Sequence, residues 1–232
     1  MNEKKIAVIG LGGFGKELVK CLHEEQHEVM AIDVNKDLIE DIKEDCTNAV
    51  CLDATDENVM KAQGLNEFDF VILAVADDFE TLIITADILK RIGVKEIIAR
   101  YQTELHVRIL KMLGITHIFN PEEKAAKNMA EMFSHSNMRG STIITEEFRI
   151  AELIVPKNFV GKTLGEVKLK EKYKLLLITI KRSKPNPLAK RKGDQPIEES
   201  IGIPSLHTQF RNNDVMVVFG AHDDVEKFLT TF

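Results

Sequence analysis

Short, uninterrupted apolar runs alternate with amphipathic stretches through the first 120 residues. The runs are typical of strands buried on both faces of a parallel sheet, and six strands are predicted at 6–9, 29–32, 49–52, 70–75, 96–100 and 116–119. The stretches between them carry apolar residues at helical spacing, and several end at a glycine, as helices often do. The alternation predicts an α/β fold built on a Rossmann-type doubly wound parallel sheet.

The pattern changes after residue 120. An amphipathic helix is predicted from 121 to about 136, with apolar positions at Ala125, Met129, Met132 and Phe133. Because no further strand of the parallel sheet follows this helix, we expect it to pack outside the sheet, against a second copy or the next domain.

The last third of the chain predicts a small α+β domain. Its strands are expected at 150–155, 175–180 and 214–219, with a helical turn at 163–167 and a closing helix at 223–229. We therefore predict a Rossmann domain with a crossover helix over 1–136, a linker over 137–145 and the small domain over 146–232.

Composition excludes several classes of protein. The net charge of −6 argues against nucleic acid as the main partner. Three unpatterned cysteines indicate free thiols in a reducing cytoplasm, and the start of the chain shows no signal-peptide pattern. The segment 181–192 carries six Lys or Arg and no acid, and is interpreted either as a solvated loop or hairpin tip or as a contact for an anionic ligand or partner.

A glycine motif follows the first strand directly. Gly10, Gly12 and Gly15 have G-x-G-x-x-G spacing, and a helical pattern begins immediately after them. Gly10 permits a tight turn, Gly12 allows a phosphate to approach the backbone, and Gly15 allows close packing of helix on strand. The N–H groups and positive dipole end of the helix then face the phosphate.

Acidic residues end the next two strands. Asp33 lies about twenty residues beyond the glycines, where a carboxylate can accept hydrogen bonds from ribose hydroxyls. Asp53 and Thr55 follow the third strand at the same edge of the sheet, either as ligand contacts or as a polar loop in which Thr55 or Asp56 caps a helix. The sequence therefore predicts a nucleotide site but no particular chemistry.

Taken in order along the chain, its predicted strands, helices and connecting segments resemble those of the RCK-domain regulatory subunits of bacterial Trk and Ktr potassium-uptake systems. The resemblance rests on GLGGFG, AIDVN, LDATDENVMKAQG, VILAV, IIAR, LKMLGITHIFNPEEKAA, EFRIAELIVPKNFVGKTLGEV and NDVMVVFGAHDDVEKF. It implies a non-enzymatic cytoplasmic protein, peripheral at the inner face of the cell membrane, with an RCK-N domain that binds adenine nucleotide and an RCK-C domain that binds a second ligand. It also implies dimers, a tetrameric or octameric ring, and gating of an integral membrane potassium-translocating subunit of the TrkH or KtrB type.

The resemblance also implies roles for individual residues. It places the phosphates on the glycines and the ribose on Asp33, with the adenine bordered by the segment after the third strand. The full candidate set is Gly10, Leu11, Gly12, Gly13, Phe14, Gly15, Asp33, Val34, Asp53, Ala54, Thr55, Ala74, Val75 and Arg100. Ktr-type members usually have arginine at the position of Gly13, where it helps to hold the terminal phosphate of ATP. Its absence leaves ADP, NAD(H) and AMP-like ligands open beside ATP.

Two further ligands follow from the resemblance. Glu122 falls where Ktr-type members place a carboxylate that binds a divalent cation such as Mg²⁺ or Ca²⁺ at a dimer interface, although a helix-dipole role accounts for it as well. Some RCK-C domains bind cyclic di-AMP. Leu164 and Pro204 could match the apolar residues of that site, and Lys170 or Lys172 stands near its expected arginine.

An NAD-dependent oxidoreductase is the alternative function. Such an enzyme needs an acid–base group near the nicotinamide and a substrate pocket. His207 and His222 are isolated in the sequence, and Asp77 and Asp78 after the fourth strand are the nearest candidates. We expect regulation rather than catalysis, because fold alone cannot support an enzyme assignment.

Overall fold

The computed structural model describes residues 3–75, 78–184 and 197–232. The chain forms two compact units, Met1–Pro121 and Glu122–Phe232. In the first unit the strands are β1 (Lys5–Ile9), β2 (Glu28–Asp33), β3 (Asn48–Cys51), β4 (Phe70–Leu73), β5 (Ile97–Arg100) and β6 (His117–Phe119). The helices between them are α1 (Gly13–Glu24), α2 (Lys36–Ile42), α3 (Glu57–Ala62), α4 (Phe79–Arg91) and α5 (Glu104–Met112).

The six strands form one parallel sheet in the order β3-β2-β1-β4-β5-β6. The order reverses between β1 and β4, which pair directly from Ile6 opposite Phe70 to Ile9 opposite Leu73. The doubly wound sheet predicted from the sequence is therefore confirmed, and its topological switch point lies where β1 and β4 end.

Both faces of this sheet are buried. Ile6 and Val8 point into a core shared with Val19 of α1, whereas Ala7 and Ile9 point into the opposite core. Successive residues of a strand point to opposite faces, so a strand covered on both sides must be apolar at every position. This is the physical origin of the uninterrupted apolar runs.

Helix α6 (Pro121–Ser134) lies in the second unit from Glu122 onward, and this unit contains a five-stranded antiparallel sheet. Its strands are β7 (Met138–Ile143), β8 (Phe148–Ile154), β9 (Leu176–Lys184), β10 (Ile197–Ser200) and β11 (Val215–Ala221), in the order β10-β9-β11-β8-β7. The helices are α7 (Leu164–Val167), α8 (Leu169–Tyr173) and α9 (His222–Thr231). An aromatic cluster forms much of the core, and it consists of Phe159, Tyr173, Phe210, Phe228 and Phe232.

The linker predicted over 137–145 is wrong for most of its length. Strand β7 occupies Met138–Ile143 and pairs with β8 at the edge of the antiparallel sheet. The sequence MRGSTI is too polar to show a strand pattern, and backbone hydrogen bonds to β8 give it this conformation. Helix α6 ends at Ser134 and lies in the second unit from Glu122 onward, whereas the sequence pattern predicts it as part of the Rossmann domain.

Part of the basic segment 181–192 is also a strand. β9 continues through Lys184 and pairs with β10, which carries Glu198 and Glu199. Lys181 contacts Glu152, Arg182 contacts Asp214, and Lys184 contacts Glu199. Three of the six basic residues therefore have acidic partners within the domain, and residues 185–192 lie outside the described part of the chain.

The apolar positions predicted for α6 are largely open to solvent. Met129 and Phe133 are 60% and 85% exposed, and Ala125 is exposed as well. The side chain of Met132 lies outside the described part of the structure. Within the described ranges, no helix is both long enough and apolar enough to cross a bilayer.

Candidate nucleotide-binding site

Gly10 forms the turn between β1 and α1. Its φ is +95°, in the left-handed region that side chains rarely adopt. A Cβ atom at this position would lie 2.9 Å from Val75 Cγ2 and 3.0 Å from the Val75 backbone nitrogen. Glycine is therefore required both by the backbone conformation and by the close approach of the segment that follows β4.

The other glycines of the motif differ in whether a side chain would fit: Gly15 is tightly packed, whereas Gly12 and Gly13 face open space. A Cβ on Gly15 would lie 1.9 Å from the Gly10 carbonyl oxygen, so α1 packs directly against the turn. Gly12 and Gly13 have no atom within 4 Å of a built Cβ, which leaves space above the start of the helix. Gly12 is also the N-cap of α1 and brings no side chain that could bond to the first-turn N–H groups. This arrangement is suited to an anion.

Asp33 ends β2 and reaches the glycine turn. Its Oδ2 accepts a hydrogen bond from the Leu11 backbone N–H at 2.6 Å, and its Oδ1 accepts one from the Asn35 N–H at 2.8 Å. Each carboxylate oxygen has a second lone pair, so the group can still accept from a ligand. The two bonds hold the acceptor beside the turn.

The segment after β3 has a fixed conformation. Asp53 Oδ1 accepts from the hydroxyl of Thr55 at 2.7 Å and from its backbone N–H at 2.9 Å. Of these two bonds, the one from the hydroxyl contributes more, and together they hold the pKa of the Asp53 carboxyl below its usual value. Asp56 caps α3 instead of Thr55, and the buried Thr85 hydroxyl donates to the Ala54 carbonyl oxygen at 3.3 Å. Thr85 is absent from the predicted set because nothing in its helix pattern marks it.

A cluster of three side chains lies at the carboxyl ends of β5 and β6. The Arg100 guanidinium carbon is 5.7 Å from the centre of the Phe14 ring, and the Phe14 and Phe119 ring centres are 5.2 Å apart. Phe14 and Arg100 were predicted site residues, whereas Phe119 was not. An aromatic residue at the end of a strand was the only signal that could have identified it.

The acidic pair predicted after β4 is described only in part. Asp77 lies outside the described residues. Asp78 caps α4, accepting from the Thr81 N–H at 3.1 Å and from the Thr81 hydroxyl at 2.7 Å. Both bonds lower the pKa of the Asp78 carboxyl, and the bond from the Thr81 hydroxyl contributes more. The geometry is that of a helix cap.

The predicted nucleotide residues all lie on one edge of the Rossmann sheet. They occupy the turn after β1, the end of β2 and the residues that follow it, the segments after β3 and β4, and the end of β5. The carboxyl ends of parallel strands meet at that edge, where open α/β sheets bind ligands.

Glu122 belongs to the second unit, not to the Rossmann unit. It lies exposed in the first turn of α6, in the second unit. Among the described residues, no group of three or more His, Cys, Asp or Glu side chains is placed to hold a metal ion.

The residues considered for cyclic di-AMP all lie in the second unit. The backbone N–H of Leu164 donates to the Thr208 carbonyl oxygen at 2.9 Å, which brings α7 beside the segment that follows Pro204. Lys170 and Lys172 are exposed on α8. His222, isolated in the sequence, accepts a hydrogen bond from Arg149 at 2.7 Å.

Comparison with known proteins identifies both units. The TrkA-N domain matches residues 6–121, and the TrkA-C domain matches residues 150–232. Ktr system potassium uptake protein C of Bacillus subtilis (strain 168) is 33% identical, over 97% of this chain and 96% of that protein. Ktr system potassium uptake protein A of the same organism is 28% identical, over 98% and 96%.

Solved structures agree on the fold. The RCK domain of GsuK superposes with a TM-score of 0.65 at 16% identity, covering 99% of this chain and 47% of that one. A GsuK channel described as bound to NAD gives a TM-score of 0.61 at 16% identity, over 98% of this chain and 39% of that one. With both domains matched in order and the relatives aligned over almost their whole length, the chain belongs to the TrkA-N/TrkA-C domain family that includes the Ktr system potassium uptake proteins.

Proposed function

We propose that this chain is a regulatory subunit that binds an adenine nucleotide in its Rossmann unit and thereby gates a membrane potassium-translocating subunit. One observation carries the nucleotide part of the proposal. The open, side-chain-free start of α1 lies next to the Asp33 carboxylate, which is held there by its 2.6 Å bond from Leu11. The potassium part rests on membership in the family of the Ktr proteins.

The geometry supports a specific orientation of the nucleotide. The phosphates lie over Gly10, Gly12, Gly13 and Gly15, where first-turn N–H groups and the helix dipole stabilise negative charge. The ribose hydroxyls donate to the remaining lone pairs of Asp33.

The adenine then lies beyond Asp33, on the β2 and β3 side of the switch point. Val34 is exposed there and offers an apolar contact to the base. The hydrogen-bonded segment Asp53, Ala54 and Thr55 borders the adenine. Leu11, Phe14, Ala74, Val75 and Arg100 complete the surroundings of the phosphates.

Several adenine nucleotides are candidates for the ligand. Gly13 carries no side chain that could reach a terminal phosphate, and Arg100 is the cation nearest to the turn in the predicted set. The NAD-bound GsuK channel supports a dinucleotide, while the family resemblance supports ADP or ATP. The shared chemistry is an adenosine with at least one phosphate.

Assembly and location complete the proposal. The exposed apolar face of α6 supports self-association into dimers and into a tetrameric or octameric ring. A cytoplasmic ring at the inner face of the membrane would pass nucleotide-dependent motion to an integral subunit of the TrkH or KtrB type.

Two additional ligands belong to the same proposal. Glu122 binds Mg²⁺ or Ca²⁺ only if a second copy supplies further oxygen ligands, since one carboxylate cannot satisfy a hard cation. Cyclic di-AMP is the candidate ligand of the C-terminal domain, at the surface that includes Leu164, Pro204 and the α8 lysines.

An NAD-dependent oxidoreductase is the second candidate, and the observations do not favour it. Asp78 is engaged as a helix cap, and His222 accepts a hydrogen bond from Arg149. His207 is exposed in the second unit. Both histidines therefore belong to the unit that does not contain the glycine turn.

Isothermal calorimetry with ATP, ADP, AMP, NAD⁺, NADH and cyclic di-AMP tests the binding proposal directly. At least one adenine nucleotide should bind, and cyclic di-AMP should bind independently of it. Absence of binding by all five adenine mono- and dinucleotides would overturn the proposal. Oxidation of NADH above background across a substrate panel would favour the oxidoreductase instead.

A further inference from the structure

Arg149 is a buried cation in the second unit. It lies on the face of β8 that also carries Ala151 and Leu153, both of which are fully buried in the core. Its side chain is 8% exposed. An arginine cannot lose its proton in a protein, so a guanidinium at this depth must be stabilised by hydrogen bonds and opposite charge.

The partners of Arg149 come from two helices that lie far apart in the sequence. Nε donates to Nδ1 of His222 at 2.7 Å, and Nη2 donates to Oε1 of Glu131 at 3.1 Å. Nη1 lies 3.5 Å from Oε1 of Glu226, whose Oε2 is 3.0 Å from Nε2 of His135. We call these five residues the Arg149 cluster. Glu131 and the adjoining His135 belong to the α6 side, and His222 and Glu226 belong to α9.

Most of the described residues of α6 are open to solvent. Among the described residues of this helix, only Pro121 and Glu131 are partly buried, and the others are exposed. The apolar residues Met129 and Phe133 are exposed and bury little area within the chain. In the described residues, polar contacts to a buried charge therefore replace the apolar packing that usually attaches a helix.

The end of α6 is also fixed by the backbone. The Met138 N–H donates to the His135 carbonyl oxygen at 2.9 Å, and the Ile154 N–H donates to the Asn137 carbonyl oxygen at 2.8 Å. The connection from α6 to β7 is therefore short and hydrogen-bonded to its own domain. The division between the two units falls instead at Pro121 and Glu122, before the helix.

We infer that the Arg149 cluster is a latch that makes α6 move with the C-terminal domain, so that the hinge of the regulatory motion is the Asn120–Pro121 junction. The position of the hinge rests on the proposed function, because the motion is the one that nucleotide binding produces. Hinges lie at ends of elements, where a few residues absorb the backbone change. Closing the latch prevents the connection after α6 from serving as the pivot.

Hydrogen exchange with mass spectrometry tests the latch without any nucleotide. Glu131→Ala removes one partner of Arg149 at a half-buried position of α6, and Glu123→Ala makes the same change on the same helix at an exposed ion pair with Lys127. Glu131→Ala should speed exchange in α6 by about tenfold or more and leave β11 and α1 within about twofold, whereas Glu123→Ala should change α6 by less than about threefold.

Arg149→Leu should speed exchange in α6 at least as much as Glu131→Ala does, because it also removes the contacts with His222 and Glu226. The double variant should add little to Arg149→Leu, since the arginine variant already removes the contact with Glu131. Should Arg149→Leu fail to fold, the Glu131→Ala comparison still decides the question. Equal α6 exchange in Glu131→Ala and Glu123→Ala would overturn the latch. The latch would also be overturned if faster hydrogen exchange in α6 appeared only in proteins whose assembly, measured by light scattering, had changed.

A second hydrogen-exchange experiment tests the position of the hinge. When a nucleotide that binds in calorimetry is added to the wild type, exchange should change in α1 and in peptides that span 117–124, while α6 and α9 should change together or not at all. If nucleotide changed hydrogen exchange in α6 and α1 together and left exchange in α9 unchanged, the proposed hinge position would be overturned. Failure of every nucleotide to bind would defeat the proposed function and would leave the first hydrogen-exchange experiment as an independent test of the latch.

Discussion

The carboxylate of Asp33 has both a structural and a proposed ligand-binding role. It accepts from the Leu11 and Asn35 backbone N–H groups and retains lone pairs for a ribose. Asp69 offers a matched comparison, because its Oδ2 accepts from the Lys5 N–H at 2.9 Å at the opposite edge of the sheet. The two aspartates thus share one structural task and differ in their distance from the glycine turn.

We predict that Asp33→Asn weakens adenine-nucleotide binding by about 1–3 kcal/mol, because the charged acceptor of the ribose is lost. Asp69→Asn should leave binding unchanged. Calorimetry on the two variants and the wild type measures both effects. Equal affinities in all three proteins would show that Asp33 serves only the fold.

The glycines of the motif should separate binding from stability. Gly12→Ala adds a Cβ in open space with an ordinary backbone conformation, so the fold should be retained while phosphate contact is obstructed. Gly15→Ala places its Cβ against the Gly10 carbonyl and should lower the melting temperature by several degrees. Thermal melts combined with calorimetry distinguish the two outcomes. A destabilised Gly12→Ala protein would contradict the open position.

Asp53 should make stability depend on pH. Its folded pKa is lowered chiefly by the Thr55 hydroxyl, so the contribution is present above the ordinary aspartate pKa of about 3.9 and is lost as pH falls through the folded value. Thr55→Val removes the hydroxyl bond. Urea titrations should show a wild-type advantage at neutral pH that shrinks in acid, and a difference that stays constant with pH would contradict this origin.

At the scale of elements, one buried ion pair joins two strands of the antiparallel sheet. Asp214 is 1% exposed and accepts from Arg182 Nε at 2.8 Å and Nη2 at 2.7 Å, and its Oδ2 also accepts from the Arg211 N–H. Arg182 lies on β9, and Asp214 directly precedes β11. Such a pair fixes the register of its strands, because a shift would leave the carboxylate without its donors.

Arg182→Ala should therefore destabilise the protein by about 3–5 kcal/mol, the range for leaving one partner of a buried pair uncompensated. Lys184→Ala, on the same strand, removes an exposed pair with Glu199 and should cost about 1 kcal/mol or less. Chemical denaturation of both variants measures the difference. Similar losses would indicate that burial of Asp214 does not govern the effect.

At the scale of the whole molecule, α6 leaves an apolar surface uncovered. Phe133 is 85% exposed on that helix, and Met112 is equally exposed on α5. A single exposed apolar side chain needs no partner, but the α6 positions lie together on one helical face, which is typical of an interaction surface.

We predict that the wild type is a dimer or larger ring at micromolar concentration and that Phe133→Asp reduces its mass in light scattering. Met112→Asp introduces the same charge in place of an equally exposed apolar residue and should not change the mass. A monomeric wild type, or a Phe133→Asp protein that assembles normally, would contradict the self-association proposed for α6.

The sequence by itself determined the Rossmann sheet and the position of its candidate site. Strands covered on both faces must be apolar throughout, and the turn beside them must be glycine at Gly10 and Gly15, so local composition carries the information. The spacing from the glycines to Asp33 follows from the length of one helix and one strand, and the structure brings the two together.

Only the tertiary structure decided the edge strands of the antiparallel sheet, the unit to which α6 belongs and the partners of buried charges. β7 and β10 are polar, and their conformation comes from backbone bonds to β8 and β9. Arg149 meets Glu131 and His222 across 18 and 73 positions of sequence, where no periodicity connects them. Apolar periodicity records which side of an element is buried, and it contains no information about which polar groups meet there.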